Sequence, residues 1–565
     1  MTKIKVLALG GLDEDGKDLY CVEINDNIFV INAGFKFPTK LTPGIDFIIA
    51  NYDYLKERKE KIAAYIIFKN KKNNYGALPY IYQECPAPIY CTHLTKSNIL
   101  AFSKHYNQDT SKMNFVTFDL PSKVNIAGFD VQFFSTCAAT PSCFGISIST
   151  DLGNIVFSGD FLVEYSNSKY FNFDLNTIGK IAEKPTLLLM CESFNAEKQG
   201  YCSPHNKLTP HLEKFFKKAP GRIFIAVAQD NLYHIEEVFK NCLAFNKKIC
   251  FYDETSKKIY NLKQHSANGQ GFFPRQNVIE LEDVLRVKEN ELVILMTDDR
   301  ENLYEKASLL ANNEHDLKQI KLMPNDTFVM ACPPTDNNEV IFTSVIDELY
   351  KTGCHVKYLT SRVLTKMHAY EEDIKMLLSL LKPKYYFPIE GYYVKLLKNA
   401  KIAIDMDIGL SHNNIFLLDN GQSLTITENG ATVDFNMNEK VKIGDVMIDG
   451  IGVGDVVNEI ISDRTRLSED GVVILACGVS KTTRTICYGP DVQMRGFLFL
   501  KDKDADAILK EITRIFVDNT NLWIAETQDF DNEPLERKIN ELIKKYLLKQ
   551  NNRNPVVKAN VIVAD

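Results

Sequence analysis

The side chains that could perform metal chemistry are few and dispersed in this sequence. It contains ten histidines among 565 residues, and no two of them lie within four positions of each other. A two-metal hydrolase needs several neutral imidazoles and carboxylates that converge on ions about 3.5–4 Å apart. The spacing therefore excludes a local pair of histidine ligands. Only a site assembled from single residues far apart in the chain is left open.

The thirteen cysteines are also scattered, and the sequence has no Cys-x-x-Cys pair. Paired cysteines at short spacing are the usual sign of a zinc ribbon or a disulfide framework. Their absence predicts small buried side chains in a reducing cytosol.

The length and composition predict a globular protein of roughly three or four domains, at about 150 residues each. The formal net charge is -7, which argues against a generally basic nucleic-acid coat but allows a local basic patch. No apolar run reaches the roughly 18–20 residues that span a membrane, and the start MTKIKVLALGG does not have the pattern of a leader. We expect a cytoplasmic protein without a membrane segment.

A polar turn follows the buried strand predicted at residues 65–68. It carries Lys69, Lys71, Asn73 and Asn74, and the run GALPY at positions 76–80 comes next. The segment resembles the metal-binding loop of metallo-β-lactamase-fold nucleases, and more narrowly that of ribonuclease J. In that family the turn carries a His-x-His-x-Asp-His run that holds two metal ions. The resemblance implies that the four named residues stand where those ligands would be.

Further markers of the same family follow in order along the chain. The family's remaining metal-site positions fall on three replaced residues, which are Asn32, Ala138 and Glu390. Three functional positions keep their residue type, and these are Asp160, Glu192 and His368. The resemblance thus implies a degenerate paralogue that has lost most metal ligands.

The resemblance also implies a fold. We expect an α/β protein with a metallo-β-lactamase αββα sandwich, an inserted doubly wound β-CASP α/β domain, and a small C-terminal α/β domain. The expected limits are 1–204 and 356–440 for the two parts of the sandwich, 205–355 for the insert, 441–461 for a linker, and 462–565 for the C-terminal oligomerisation domain. The apolar runs at 292–296 and 327–331 support a parallel sheet in the insert.

The replaced residues predict that hydrolytic chemistry is lost. A protonated lysine has no lone pair for a metal, and its charge repels Mg²⁺, Mn²⁺ or Zn²⁺. Without a metal, no water is activated near neutral pH. We therefore expect no cofactor; zinc or manganese is expected only if the chain is active through a rearranged site. Asp160 also has a plainer interpretation as a hydrogen-bonded acid at a strand end, and His368 as a structural partner of Asp160 or Glu192.

The lysines of the old cleft suggest a second use. Lys69, Lys71, Lys72 and Lys366 are candidate contacts for RNA phosphates, because lysines bind phosphate as point charges. The alternative is an ordinary solvated loop. A second basic cluster near the C-terminus, at residues 544–553, is more typical of a solvated helix face.

Taken together, these features predict a ribonuclease J-like protein of bacterial RNA processing and decay. We expect a non-catalytic subunit that binds RNA or an active paralogue, as a homo-oligomer or hetero-oligomer. One alternative is an active metal-dependent 5′-3′ exoribonuclease and endoribonuclease. Another is a structural interaction protein that does not contact RNA.

Overall fold

The structure is a computed structural model. It describes residues 2–38, 42–165, 168, 170–262, 277–315, 320–335, 338–436, 441–450, 452–453, 458–497 and 503–564. Within these residues no helix is both long and apolar enough to cross a membrane. Part of the predicted linker 441–461 lies outside the described residues.

The first sheet of the sandwich begins with a meander of three antiparallel strands, as the alternating apolar runs and turns predict. Its eight strands are β1 (Ile4–Gly10), β2 (Leu19–Ile24), β3 (Asn27–Ile31), β6 (Ile62–Ile66), β7 (Ile89–Cys91), β8 (Phe115–Thr117), β21 (Ser423–Thr427) and β22 (Gly430–Asp434). They are ordered β22-β21-β1-β2-β3-β6-β7-β8. Within this sheet, the strands β3, β6, β7 and β8 run parallel to one another.

The second sheet has six strands in the order β20-β13-β12-β11-β10-β9. They are β9 (Ser122–Ile126), β10 (Phe129–Thr136), β11 (Cys143–Thr150), β12 (Gly153–Phe157), β13 (Thr186–Glu192) and β20 (Tyr385–Ile389). The first four strands form antiparallel neighbours, whereas β12, β13 and β20 are parallel. The last strand returns to this sheet after the inserted domain.

The two sheets face each other across one apolar core, and helices cover their outer faces. Side chains such as Phe29 and Ile66 from the first sheet pack with Phe133, Phe157 and Met190 from the second. The helices beside the first sheet are α1 (Asp53–Lys56), α2 (Lys72–Tyr75), α3 (Leu78–Glu84) and α4 (His93–His105). Those packed on the second are α5 (Leu175–Ala182), α11 (Glu371–Leu381) and α12 (Tyr393–Asp405). The predicted αββα sandwich is confirmed.

The insert is a parallel sheet of six strands with helices on both faces. Its strands are β14 (Ile223–Ala228), β15 (Lys248–Phe251), β16 (Val278–Ile279), β17 (Leu292–Asp298), β18 (Thr327–Met330) and β19 (His355–Tyr358). Its helices are α6 (Thr209–Lys218), α7 (Leu232–Ala244), α8 (Glu254–Leu262), α9 (Arg300–Asn312) and α10 (Glu339–Lys351). The central strands are buried on both faces, which is why they are continuous apolar runs.

The C-terminal residues belong to a second compact unit, which comprises Phe37–Ile48 and Val446–Asp565. Its three-stranded sheet is formed by β25 (Val472–Ser480), β26 (Thr485–Arg495) and β27 (Val556–Ala564), in the order β26-β25-β27. Its helices are α13 (Asn458–Glu469), α14 (Lys503–Glu526) and α15 (Glu533–Asn551). Apolar side chains from one face of this sheet pack against α14 and α15.

Four short strands and three 3₁₀ turns complete the described elements. The strands are β4 (Phe35–Lys36), β5 (Phe47–Ala50), β23 (Asp445–Asp449) and β24 (Gly452–Val453). The turns are Lys59–Lys61, Leu281–Arg286 and Glu289–Glu291. The predicted limits of the individual domains stay predictions.

Candidate functional site

The ends of five strands bring the predicted site residues together at one edge of the sandwich. Asn32 follows β3, Lys69 follows β6, Asp160 follows β12, Glu192 ends β13, and Glu390 follows β20. The pair β3 and β6 is parallel, and so is the group β12, β13 and β20, so that carboxyl ends meet at the same edge. The topology thus assembles residues that are hundreds of positions apart.

The Lys69 ammonium occupies the centre of this cluster. Its Nζ donates a hydrogen bond to Oδ1 of Asp160 and lies 3.6 Å from Oε2 of Glu390. The side chain of Lys69 is only 6% exposed and that of Asp160 is fully buried. Burial alone would lower the pKa of Lys69, but Asp160, Glu390 and Asp18 raise it above its ordinary value. The lysine is therefore protonated at neutral pH.

The same contact keeps Asp160 ionised. Burial alone would raise the pKa of Asp160, but Lys69, His368 and Lys71 together hold it well below its usual range. The Nζ of Lys71 lies 4.0 Å from Asp160 Oδ2, so two ammonium groups face this one carboxylate.

The carboxylate of Glu192 forms a second group of polar contacts beside the one around Lys69. Its Oε2 lies 2.5 Å from Nδ1 of His368, and its Oε1 accepts hydrogen bonds from the backbone N–H groups of Phe161 and Ala369. The ring of Phe194 stacks on the His368 ring at 4.5 Å between centroids. This geometry matches the plainer prediction for His368, a structural partner of Glu192. The Nδ1 atom of His368 also lies 3.6 Å from Oδ2 of Asp160.

One group of described residues has the composition of a metal site. Asp160, Glu192 and His368 each offer a ligand atom, and these atoms lie within 4.8 Å of one another. Asp160 Oδ2 is buried and has no hydrogen-bond partner. Two contacts of Asp160 oppose the binding of an ion. Lys69 binds Oδ1 of Asp160, and Lys71 faces Oδ2. A divalent ion 4 Å from an ammonium is repelled by about 8 kcal/mol at an effective dielectric constant of about 20.

The remaining replaced positions serve the loop itself. Asn32 Oδ1 accepts from Phe68 N at 3.3 Å, and Asn74 Nδ2 donates to Asp18 Oδ2 at 3.1 Å. Asn73 is half-buried, and Ala138 is buried without a polar group. These amide and methyl side chains offer a cation neither a charged oxygen nor an imidazole. The residues present therefore do not fit the two-metal centre that the family resemblance implies.

The backbone at this edge has an unusual shape at two positions. Asn32 and Glu390 both adopt a left-handed conformation, with φ of +60° and +58°. Asparagine adopts it readily, whereas glutamate does so only when its surroundings impose it. Position 34 requires glycine for a steric reason, because a Cβ on Gly34 would lie 1.5 Å from the carbonyl oxygen of Asn73.

Asp18 belongs to the cluster although sequence reasoning missed it. It is buried at the start of β2, where it accepts the Asn74 bond. Burial raises the pKa of Asp18 to about 7; Lys69 opposes this shift and Asp160 adds to it. Burial likewise raises the pKa of Glu390 well above its ordinary value. The only sequence signal for Asp18 is the acidic turn at residues 13–18, which has no pattern of its own.

The lysines predicted to contact RNA phosphates divide into three kinds. Lys69 is buried and engaged by Asp160, so this geometry does not support a phosphate contact. Lys72 is exposed but pairs with Asp299 at 3.3 Å. Lys71 is half-buried, and Lys366 is exposed. Lys71 also faces Asp160 at 4.0 Å, so Lys366 is the member of the four that is most available to a phosphate.

A basic rim surrounds the ring of Phe194. Lys366 and Lys395 place their Nζ atoms 4.5 and 4.2 Å from the ring centroid. Desolvation lowers the pKa of Lys366; the charge of Asp15 opposes this shift, and the charges of Lys71, Arg300 and Lys395 add to it. Sequence reasoning missed Phe194, Lys395 and Arg300 because each comes from a different segment.

Comparisons with known proteins agree with the implied family. The chain matches the family described as "Ribonuclease J, beta-CASP domain" over residues 220–349 and "Ribonuclease J C-terminal domain" over residues 459–563. It is 28% identical to a protein named "Ribonuclease J 2" from Staphylococcus aureus (strain MRSA252) over 561 residues, which are 98% of this chain and 97% of the relative. It is 30% identical to a protein of the same name from Staphylococcus epidermidis over 510 residues, 90% of this chain and 89% of the relative.

One solved structure shares the fold over most of the chain. It is described as a protein of unknown function from Enterococcus faecalis V583. The match covers 75% of this chain and 100% of that one, with a TM-score of 0.51 and 14% sequence identity. At that identity the similarity concerns the fold alone.

The raised pKa of Asp18 predicts a pH-dependent stability. The folded protein retains a proton on Asp18 that the unfolded chain releases above about pH 4, so the free energy of unfolding falls as the pH rises from about 4 to about 7. Asp18→Asn removes this cost. We expect the variant to exceed the original protein in stability at pH 8, by up to about 4 kcal/mol, and to match it near pH 4.

Melting temperatures between pH 4 and pH 8, followed by circular dichroism, measure this difference. Asp15→Asn is the matched control, because Asp15 is an exposed carboxylate on the same turn. A stability gain for Asp18→Asn that is equal at every pH would contradict the assignment.

Proposed function

This chain belongs to the ribonuclease J family, and on that premise we propose that it is a non-catalytic member acting in RNA processing. In this proposal the protein works in the cytoplasm, binds RNA along its former catalytic cleft, and associates with a catalytically active ribonuclease J chain. It carries out no phosphodiester hydrolysis of its own.

One observation carries the proposal, namely the Lys69 ammonium at the centre of the cluster. Its Nζ contacts Asp160 and lies 3.6 Å from Glu390. A protonated lysine has three donors and no acceptor, so it cannot ligate an ion. The family's reaction needs metal ions to generate the nucleophile and to neutralise the charge that develops on the phosphate. A centre held by an ammonium supplies neither function.

A second candidate function rests on the group of Asp160, Glu192 and His368. Its ligand atoms lie within 4.8 Å of one another, and Asp160 Oδ2 is without a hydrogen bond. In this alternative the group holds one ion and the chain is an active metal-dependent ribonuclease with a rearranged site. We favour the first proposal because Lys69 and Lys71 place two positive charges beside the same carboxylate.

A cleavage assay with metal analysis separates the two functions. The purified protein is incubated with 5′-monophosphorylated RNA in Mn²⁺ or Mg²⁺, with and without EDTA. We expect no cleavage and no stoichiometric metal. The control is His368→Ala, which disrupts the alternative metal group, so that cleavage surviving in this variant comes from a contaminant. Cleavage that EDTA abolishes and His368→Ala removes would establish the active alternative.

The proposed RNA contact depends on the basic rim around Phe194. Lys366 is exposed, and among the described residues it forms no salt bridge with a carboxylate. Asp15 attracts its charge, whereas Lys71, Arg300 and Lys395 repel it. A phosphate would relieve this repulsion, and the ring of Phe194 between the lysines offers a surface on which a base can stack.

Salt-dependent binding tests the RNA contact. We expect Lys71→Gln/Lys366→Gln to weaken binding of single-stranded RNA and to reduce the slope of log K against log salt concentration by about 1.4, at about 0.7 for each lost phosphate contact. Lys545→Gln/Lys549→Gln on α15 is the control, since it removes the same charge from exposed positions elsewhere. Equal effects of the two double variants would refute cleft binding.

The proposed association depends on the open face of the C-terminal sheet. Ile474, Tyr488 and Ile562 are 41%, 79% and 59% exposed. Tyr488 and Ile562 both pair with Gly478, on opposite sides, so the three exposed side chains share one face and Gly478 leaves the space between two of them flat. An apolar surface of this kind favours a protein partner. A second ribonuclease J C-terminal domain is the partner we propose.

Light scattering with size-exclusion chromatography tests the association. The protein is measured alone and after co-expression with a catalytically active ribonuclease J. We expect an oligomer that Ile562→Lys disrupts, because a charge replaces an apolar contact. Leu548→Lys, at an exposed position on α15, is the matched control. A chain that stays monomeric under both conditions would leave this part of the proposal wrong.

A further inference from the structure

The buried acid cluster at the site edge is compensated by side chains of the chain itself. Asp160, Glu192 and Glu390 are all nine-tenths or more buried. Buried carboxylates that remain unpaired are strongly destabilising, so a folded protein pairs them with cations or keeps them neutral. The cation at the centre of this cluster is the ammonium of Lys69, which touches Asp160 and faces Glu390.

We propose that Lys69 acts as a built-in counter-ion, and that its removal exposes a latent binding site for one divalent cation of the Mn²⁺ or Zn²⁺ type. This inference rests on the proposed function, because a chain that already held metal ions would not need the ammonium. It goes beyond that function by assigning a specific structural role to Lys69 and a ligand chemistry to the residues around it.

The ligand atoms of the latent site are already close together. Asp160, Glu192 and His368 present theirs within 4.8 Å of one another, and all three side chains are buried. Removal of the ammonium frees Asp160 Oδ1, while Oδ2 has no hydrogen bond at present. Glu390 Oε2 is 3.6 Å from the position that the ammonium leaves. Carboxylates together with an imidazole form a set that suits Mn²⁺ and Zn²⁺.

The ammonium also explains why the original protein should not take up the ion. A cation that enters the group must come close to the positive charge of Lys69 and displace it from Asp160. The half-buried Lys71, 4.0 Å from the same carboxylate, adds a second repulsion but does not fill the space. Loss of Lys69 is therefore the change that should allow a cation to bind this group.

The test is a substitution that removes the charge and keeps the side-chain stem. Lys69→Met is purified alongside the original protein, and both are melted at increasing Mn²⁺ concentrations with circular dichroism as the readout. We expect the variant to melt at a lower temperature without metal, because the ionised carboxylate of Asp160 loses its counter-ion. Mn²⁺ should raise its melting temperature in a saturable way. The original protein should not respond to Mn²⁺ or EDTA.

Electron paramagnetic resonance of Mn²⁺ measures the binding directly and independently of stability. We expect one bound ion for each Lys69→Met chain and none for the original protein. Lys72→Met is the matched control, because Lys72 lies three residues further along the chain and its side chain is 41% exposed. This control should neither melt earlier nor bind the ion.

A second variant keeps the test decisive if Lys69→Met folds poorly. Lys69→Met/Asp160→Asn removes one buried negative charge together with the positive one, so we expect it to melt higher than Lys69→Met without metal and to lose the response to Mn²⁺. If Lys69→Met is insoluble without metal, the inference requires that Mn²⁺ during expression makes it soluble. Insolubility under both conditions would overturn the inference.

Two other results would also overturn it. One is a Lys69→Met chain that is as stable as the original and binds no Mn²⁺. The other is an equal Mn²⁺ response in the original protein. These outcomes are separate from a failure of the proposed function, which appears as EDTA-sensitive RNA cleavage by the original protein. A chain can be inert toward RNA while Lys69→Met fails to bind the ion.

Discussion

An ion pair between Lys69 and Asp160, supported by Glu390, holds together the edge where the two sheets of the sandwich meet. The lysine follows a strand of one sheet, whereas the two acids follow strands of the other. The family to which the chain belongs uses metal ions at such an edge. Here the ammonium of Lys69 occupies the centre, with a positive charge at neutral pH and three hydrogen-bond donors. An ammonium can neutralise carboxylates, as a metal ion does, but it does not activate water.

The neighbouring carboxylate of Glu192 has a structural role in the fold. It binds the His368 ring and the backbone N–H groups of Phe161 and Ala369. These partners come from segments on either side of the inserted domain. A buried acid with three donors is well paired, and the loss of one partner would leave a desolvated charge. Retention of Glu192 therefore has a structural reason that does not require catalysis.

The outer parts of the molecule offer different chemistry from its centre. The rim around Phe194 presents Lys366 and Lys395. The open face of the C-terminal sheet presents Ile474 and Ile562. A charged rim and an apolar sheet face are surfaces that bind other molecules without reacting with them. In the function proposed above, these surfaces give the chain its place in RNA processing without hydrolysis.

Much of the fold follows from local patterns in the sequence. The meander at the start and the two strands of the insert that begin at Leu292 and Thr327 appear as their apolar runs predict. Motif order also identified Asp160, Glu192 and His368 as one group, and the structure brings their ligand atoms together. Strand limits do not follow from the local pattern, because polar residues at strand ends depend on neighbouring strands.

The sequence alone determined the fold class, the family resemblance and the absence of paired histidine ligands, since these depend on residue type and spacing along the chain. Only the tertiary structure decided which acid each lysine meets. It buried Lys69 against Asp160 and left Lys366 exposed, and it added Asp18 to the cluster. The physical reason is that electrostatic partners are set by distance and burial. Both depend on where strands far apart in the sequence end, which no local pattern records.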